Sequence, residues 1–216
     1  MEFLASAVDL FLHLDHHLNT IIAHYGVWTY LLVFLIIFCE TGLVITPFLP
    51  GDSLLFALGA LAAGGPLKIG WLLLLLGTAA ISGNILNYAI GRLLAPKIFR
   101  KENIRFIKME YLERTHQFYL KHGGKAIIIS RFLPILRTFA PFLAGVGLMP
   151  YGRFLIYNFV GGAAWVTTFI LGGYFFGNLP FVKKNFSAVV LAIIIISLLP
   201  AVIEFLRHRR AAKLSK

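Results

Sequence analysis

Four charged residues lie inside long apolar stretches: Glu40 and Asp52 in one, Arg131 and Arg137 in another. At the centre of a bilayer each would cost about 2.5–3.5 kcal/mol on insertion scales, so such residues ordinarily face an interior cavity and act on a substrate or ion. The forked guanidinium of arginine matches phosphate oxygens. An acidic pair facing two arginines can compete with a bound anion for them, or take up a proton as it binds. Together these residue types suit proton-coupled movement of an anionic lipid or another anion. In that reading Arg131 and Arg137 bind the phosphate or other substrate, and Glu40 and Asp52 couple to protons. Plainer readings stand beside it. Asp52 follows Pro50 and Gly51 and could cap the helix after it, and Glu40 could merely neutralise an arginine. Arg131 and Arg137 could snorkel to a headgroup, though Pro134 between them argues against an ordinary surface helix.

The elements that hold these residues must be membrane elements. Of the 216 residues, 59% are hydrophobic and 13% charged, against roughly 45–50% and about 25% in soluble domains. Soluble, disordered, fibrous and disulfide-rich classes are therefore excluded. The single Cys39 reads as a small buried hydrophobe. The net charge of +11 is distributed as a topology signal rather than a nucleic-acid surface: no Lys or Arg precedes Lys68, whereas residues 92–125 and the tail after Arg207 are basic. No cleavable signal peptide is visible at the start.

Three stretches are apolar and long enough to span a bilayer, at 71–94, 155–176 and 186–206. Residues 1–24 and 107–121 carry apolar side chains at helical spacing and read as amphipathic helices lying in the interface. Two further apolar regions, 27–63 and 125–149, are interrupted by prolines and glycine: Pro47, Pro50 and Gly51 in the first, Pro134 and Pro141 in the second. The arm at 53–63 would be about 16 Å long as a helix, half a bilayer. Broken backbone at membrane depth is tolerated only where protein buries it or a wet cavity adjoins it. Both regions therefore read as re-entrant hairpins, and a half-helix beginning near Pro141 would aim its N–H groups at the same anion as the arginines.

Each half of the chain then has the same plan of interfacial helix, broken hairpin and long glycine-containing span. Residues 1–94 form a first repeat, 107–177 a second, 186–206 a final span and 207–216 a basic tail, all within one membrane domain. The positive-inside rule puts the connector 95–124 and the tail in the cytoplasm, so the hairpins enter from opposite faces as an inverted repeat. A full span over 27–45 would instead move the N-terminus inside. The fold class expected is all-α, an integral membrane protein of two re-entrant hairpins with transmembrane and interfacial helices.

No cofactor, metal site or catalytic residue is expected. His13 and His17 have chelating spacing, with His16 and His24 nearby, but no cysteine or carboxylate cluster completes a site; a solvated face, or a pH sensor at the outer surface, fits better. The glycine-rich spans hold no nucleotide-binding pattern and more simply let helices approach closely. The competing functions are a proton-coupled ion antiporter, a nonselective phospholipid scramblase and, least supported, a lipid phosphatase, which would want a nucleophile or metal-binding acids beside the arginines. Homo-oligomerisation is compatible with the sequence and not specified by it.

Motifs carry a resemblance as well. Phe38-Cys39-Glu40-Thr41-Gly42, Pro47-Phe48-Leu49-Pro50-Gly51-Asp52-Ser53, Gly91-Arg92, His122-Gly123-Gly124-Lys125 and the run from Arg131 through Pro134 and Arg137 to Pro141 resemble the signature of the DedA family of bacterial inner-membrane proteins, related to eukaryotic lipid scramblases. The resemblance extends over about residues 10–213. It implies paired re-entrant hairpins, dependence on the proton-motive force and a role in envelope integrity; the residues themselves lead us to expect no enzyme. Membrane lipids and protons would be the partners, without nucleic acid. Some members move undecaprenyl phosphate across the membrane, which makes it the best single guess for the cargo of a flippase here. The family's essential acids and bases map onto Glu40, Asp52, Arg131 and Arg137. One departure is Asn84, where relatives often carry Asp after the glycine.

Overall fold

A computed structural model describes residues 24–43, 51–99, 123–147, 149–186, 188–193 and 195–196. Among them all regular structure is helical: α1 (Trp28–Gly42), α2 (Gly51–Ala63), α3 (Ile69–Phe99), a 3-10 turn (Gly123–Lys125), α4 (Ala126–Ser130), α5 (Pro134–Val146), α6 (Tyr151–Phe176) and α7 (Pro180–Lys184). The expected interfacial helices at 1–24, apart from His24, and 107–121 lie outside the described residues, as do Pro47, Pro50, the middle of the connector and the tail. The final span is described only as far as 196.

The two long helices match the expected spans at 71–94 and 155–176. Windows Ile69–Pro96 and Tyr151–Phe176 are long and apolar enough to cross a membrane. Neither contains an interior proline before Pro96, so no missing N–H interrupts either helix early. The arms of the broken regions are shorter. Helix α1 has 15 residues, or about 22 Å at the usual rise, and α2 has 13. Near its start, Tyr30 accepts a hydrogen bond from the Lys68 backbone N–H, 2.8 Å away and just before α3 begins. At its far end, a Cβ on Gly42 would touch the Gly83 backbone at 3.3 Å, so α1 stops level with the middle of α3. The turn back into α3 passes through Gly65, whose φ of +104° lies in the region that favours glycine.

Helix α2 packs against α6, α5 against α3, and α1 against α3. At the first crossing, a Cβ on Gly59 would strike the Ile170 carbonyl and one on Gly173 the Phe56 carbonyl. At the second, a Cβ on Gly91 would strike the Phe142 carbonyl and one on Gly145 the Tyr88 carbonyl. Bare Cα atoms thus bring four helices into backbone contact in two pairs, the use expected of small residues in apolar bundles.

The second broken region differs from expectation at one point. The break falls at 131–133, and α5 starts at Pro134 and runs through Pro141 to Val146. Pro134 suits the first turn of a helix, where its missing N–H is not needed. Pro141 neither starts nor ends the helix; it only removes the donor that the Arg137 carbonyl would ordinarily have.

The burial pattern is the reverse of a soluble protein's. Trp28, Trp71, Leu74, Phe159 and Phe175 are each more than half exposed. The interior, beside apolar clusters around Ile37, Leu55, Leu58, Leu72, Leu76 and Ile170, holds four charges and three asparagines, Asn84, Asn87 and Asn158. An apolar exterior around a partly polar centre is stable when the surrounding medium is hydrocarbon.

Candidate functional site

All four sequence-predicted charges are buried, with exposures of 2% for Glu40, 6% for Asp52, 0% for Arg131 and 4% for Arg137. Glu40 arrives at the inner end of α1, and Asp52 stands in the first turn of α2. Arg131 follows α4 directly, and Arg137 occupies the first half of α5. The four charges are therefore carried on helix ends next to the two breaks.

Arg137 is the hub. Its Nη1 donates to Glu40 Oε1 at 2.9 Å and its Nη2 to Asp52 Oδ1 at 2.5 Å, while Nε donates to the Arg131 backbone carbonyl at 3.0 Å. Each guanidinium nitrogen has an acceptor, and both acids share one base. Asp52 also accepts from the Trp165 indole N–H at 2.8 Å. That ring lies under Arg137, with the guanidinium carbon 4.6 Å from the ring centroid, in cation–π contact. Glu40 Oε1 takes the Gly51 N–H at 3.3 Å. The Glu40 carboxylate rests on the bare Cα of Gly51, where any Cβ would collide with it. Gly51, expected as a backbone break, is needed here for room.

Arg131 is placed differently. Only Nη2 is hydrogen-bonded, donating to the Ala80 carbonyl at 3.1 Å and to Asn158 Oδ1 at 2.7 Å; Nε and Nη1 have no hydrogen-bond partner, and the guanidinium carbon lies 5.9 Å from the Trp165 ring centroid. Asn158 in turn donates to the Ile81 carbonyl at 3.0 Å. Gly161 and Gly162 of α6 leave space for this side chain, since a Cβ on either would approach it to 3.4 or 3.3 Å. The second oxygen of Glu40 likewise has no partner. The four formal charges sum to zero, so the centre is neutral with donor capacity in reserve on Arg131.

Two contributors were not singled out from the sequence. Trp165 sits in the middle of a membrane-length helix, whereas tryptophans concentrate at interfaces; a mid-span indole whose N–H needs a partner was the available signal. Asn87, fully buried, donates to the Thr41 carbonyl at 3.2 Å and the Thr138 carbonyl at 2.9 Å, joining the inner ends of α1 and α5. A mid-span amide was its signal. Among the described residues no group of three or more His, Cys, Asp or Glu gathers as metal ligands; His13, His16 and His17 lie outside them.

Comparison with known proteins puts this arrangement in context. Residues 49–175 match the model of the VTT domain. The chain is 51% identical over 214 residues to Protein DedA of Escherichia coli strain K12, covering 98% of each chain. It is 45% identical over 183 residues, 84% of this chain and 80% of the other, to the uncharacterized membrane protein Rv0364 of Mycobacterium tuberculosis strain H37Rv. It is 36% identical over 155 residues, 72% of this chain and 70% of the other, to the inner membrane protein YqjA of E. coli strain K12. No solved structure matches.

Proposed function

Because the chain belongs to the DedA family of VTT-domain membrane proteins, we propose that it is a flippase. It carries a phosphate-bearing lipid across the bacterial inner membrane, undecaprenyl phosphate being the best guess, with protons moving in step. The observation that carries this reading is the unequal use of the two arginines. A buried cation with two unengaged N–H-bearing nitrogens is costly unless something with acceptor oxygens satisfies it. A phosphate headgroup does so, and Arg131 receives it first.

Proton coupling follows from the charge balance. Arg137 turns toward the headgroup only by leaving Glu40 and Asp52, which would strand two carboxylates in a buried place. Protonating one of them relieves that strain and offsets the incoming negative charge. Loss of the proton on the other side restores the Arg137 pairs and expels the anion. The broken regions 27–63 and 125–149 act as re-entrant hairpins of an inverted repeat, entering from opposite faces. Support comes from α1 ending halfway along α3, and from Arg131 lying against Gly162 near the middle of α6. The connector 95–124 and the basic tail are cytoplasmic in this reading, on the positive-inside rule.

The test is a sided assay of undecaprenyl phosphate in proteoliposomes, with and without a pH gradient. Wild type moves the lipid and the gradient speeds it. Arg131→Lys and Arg137→Lys keep charge but lose the fork, and each slows movement at least about tenfold with normal insertion, the worth of one charge-assisted hydrogen bond. Full activity in both Lys variants overturns the phosphate clamp. Gradient-independent movement of ordinary phospholipid identifies a scramblase, ion flux without prenyl lipid an antiporter, and released phosphate a phosphatase.

A further inference from the structure

The buried centre also contains a polar side chain that makes no hydrogen bond with either of its polar atoms. Asn84 of α3 is 1% exposed, and neither its amide oxygen nor its amide nitrogen has a hydrogen-bond partner. Its neighbours along the helix locate it. Ala80, four residues earlier, gives its carbonyl to Arg131, and Ile81, three earlier, gives its carbonyl to Asn158. Asn87, three residues later, ties the Thr41 and Thr138 carbonyls. Residues three and four apart share a helix face. Asn84 therefore lies on the face that meets the Arg131 guanidinium, between Arg131 and Asn87, whose own amide oxygen has no hydrogen-bond partner.

The chemistry of these unengaged groups is specific. Arg131 Nε and Nη1 can only donate, whereas an amide both donates and accepts. A ligand that satisfies both Arg131 and Asn84 must supply several acceptor oxygens and one donor. Singly ionised phosphate monoesters have that set, with P–O⁻ and P=O for the donors and a P–OH for the Asn84 carbonyl. Diesters have the acceptors and no O–H on phosphorus. We propose that Asn84 is a specificity-determining residue of the headgroup site, reading the O–H of a phosphate monoester beside Arg131 and so favouring monoester over diester lipids. This rests on the phosphate-lipid reading above.

A direct test uses the full chain in detergent at pH 5.5, below the second ionisation of a phosphate monoester at about 6. Binding of short-chain phosphatidic acid, a monoester, is compared with binding of short-chain phosphatidylmethanol, an anionic diester whose headgroup has no hydroxyl. Wild type favours the monoester at least about tenfold, because the diester leaves the amide carbonyl unpaired. Asn84→Leu brings the preference to near parity, because phosphatidic acid loses more affinity than phosphatidylmethanol does. Its melting temperature is equal or higher, since two unbonded buried polar atoms are removed. Asn84→Thr, which keeps a donor and an acceptor, retains part of the preference. Should Asn84→Leu fail to accumulate, Asn84→Ala is compared with Asn84→Thr instead. A preference kept in the Leu or Ala variant overturns the role of Asn84, as does a wild type that binds both lipids equally. A wild type that binds neither lipid removes the phosphate reading beneath it.

Discussion

Where α2 crosses α6, Gly59 and Gly173 let the backbones touch; where α3 crosses α5, Gly91 and Gly145 do the same. The contacts correspond in register, each short-arm glycine meeting a carbonyl three residues before the glycine on its long helix. Yet the residues a fixed distance upstream differ. Seven before the glycines of the short arms stand Asp52 in one crossing and Thr138 in the other, and eight before stand Gly51 and Arg137. On the long helices, Trp165 in one corresponds to Gly83 in the other, and Val166 to Asn84. Helix separation is thus set by bare Cα atoms, while polar groups vary between equivalent places. The functional pair forms across the two crossings, with Arg137 from one bonded to Asp52 from the other.

Breaking that cross-link should have the largest effect. Arg137→Gln leaves two buried carboxylates without their cation, and thermal unfolding in detergent should show a loss of about 3–5 kcal/mol. Next come the crossings themselves. Gly173→Ala and Gly145→Ala each push a methyl into a facing carbonyl, at a cost of about 1–3 kcal/mol apiece; clearly unequal losses would show that the crossings are not equivalent in energy. Trp165→Phe keeps the ring over Arg137 and removes one hydrogen bond to Asp52, an expected loss of about 1.5 kcal/mol, read in the same melts. The smallest effect sharpens the comparison as a control. Gly77 on α3 has open space where a Cβ would go, so Gly77→Ala should raise stability by about 0.5–1 kcal/mol, through helix propensity alone.

Much of the helical layout was legible because it depends on local pattern. Apolar runs of membrane length marked α3 and α6 to within a few residues, and the arm expected at 53–63 corresponds to α2. Pro141 misled because proline in sequence reads as a break, whereas packing of α5 along α3 holds that helix continuous. Glu40, Asp52, Arg131 and Arg137 stood out because charge is expensive in hydrocarbon wherever it occurs. Their pairing did not. Arg137 meets Glu40 across 97 positions and Asp52 across 85, and no periodicity reaches that far. The sequence suggested two acids facing two arginines, whereas Arg137 bonds both acids and Arg131 is held by the Ala80 carbonyl and Asn158.

By itself, then, the sequence determined the medium, the long helices and the identity of the costly charges, since each follows from transfer energies of single residues and short windows. Tertiary structure decided which arginine is occupied and which has N–H groups to spare, that Trp165 and Asn87 join the polar centre, and that Asn84 has no partner there. Those outcomes depend on which helices touch at Gly59, Gly91, Gly145 and Gly173. Hydrogen bonds form only within about 3 Å, and that proximity comes from the packing of segments far apart in the chain.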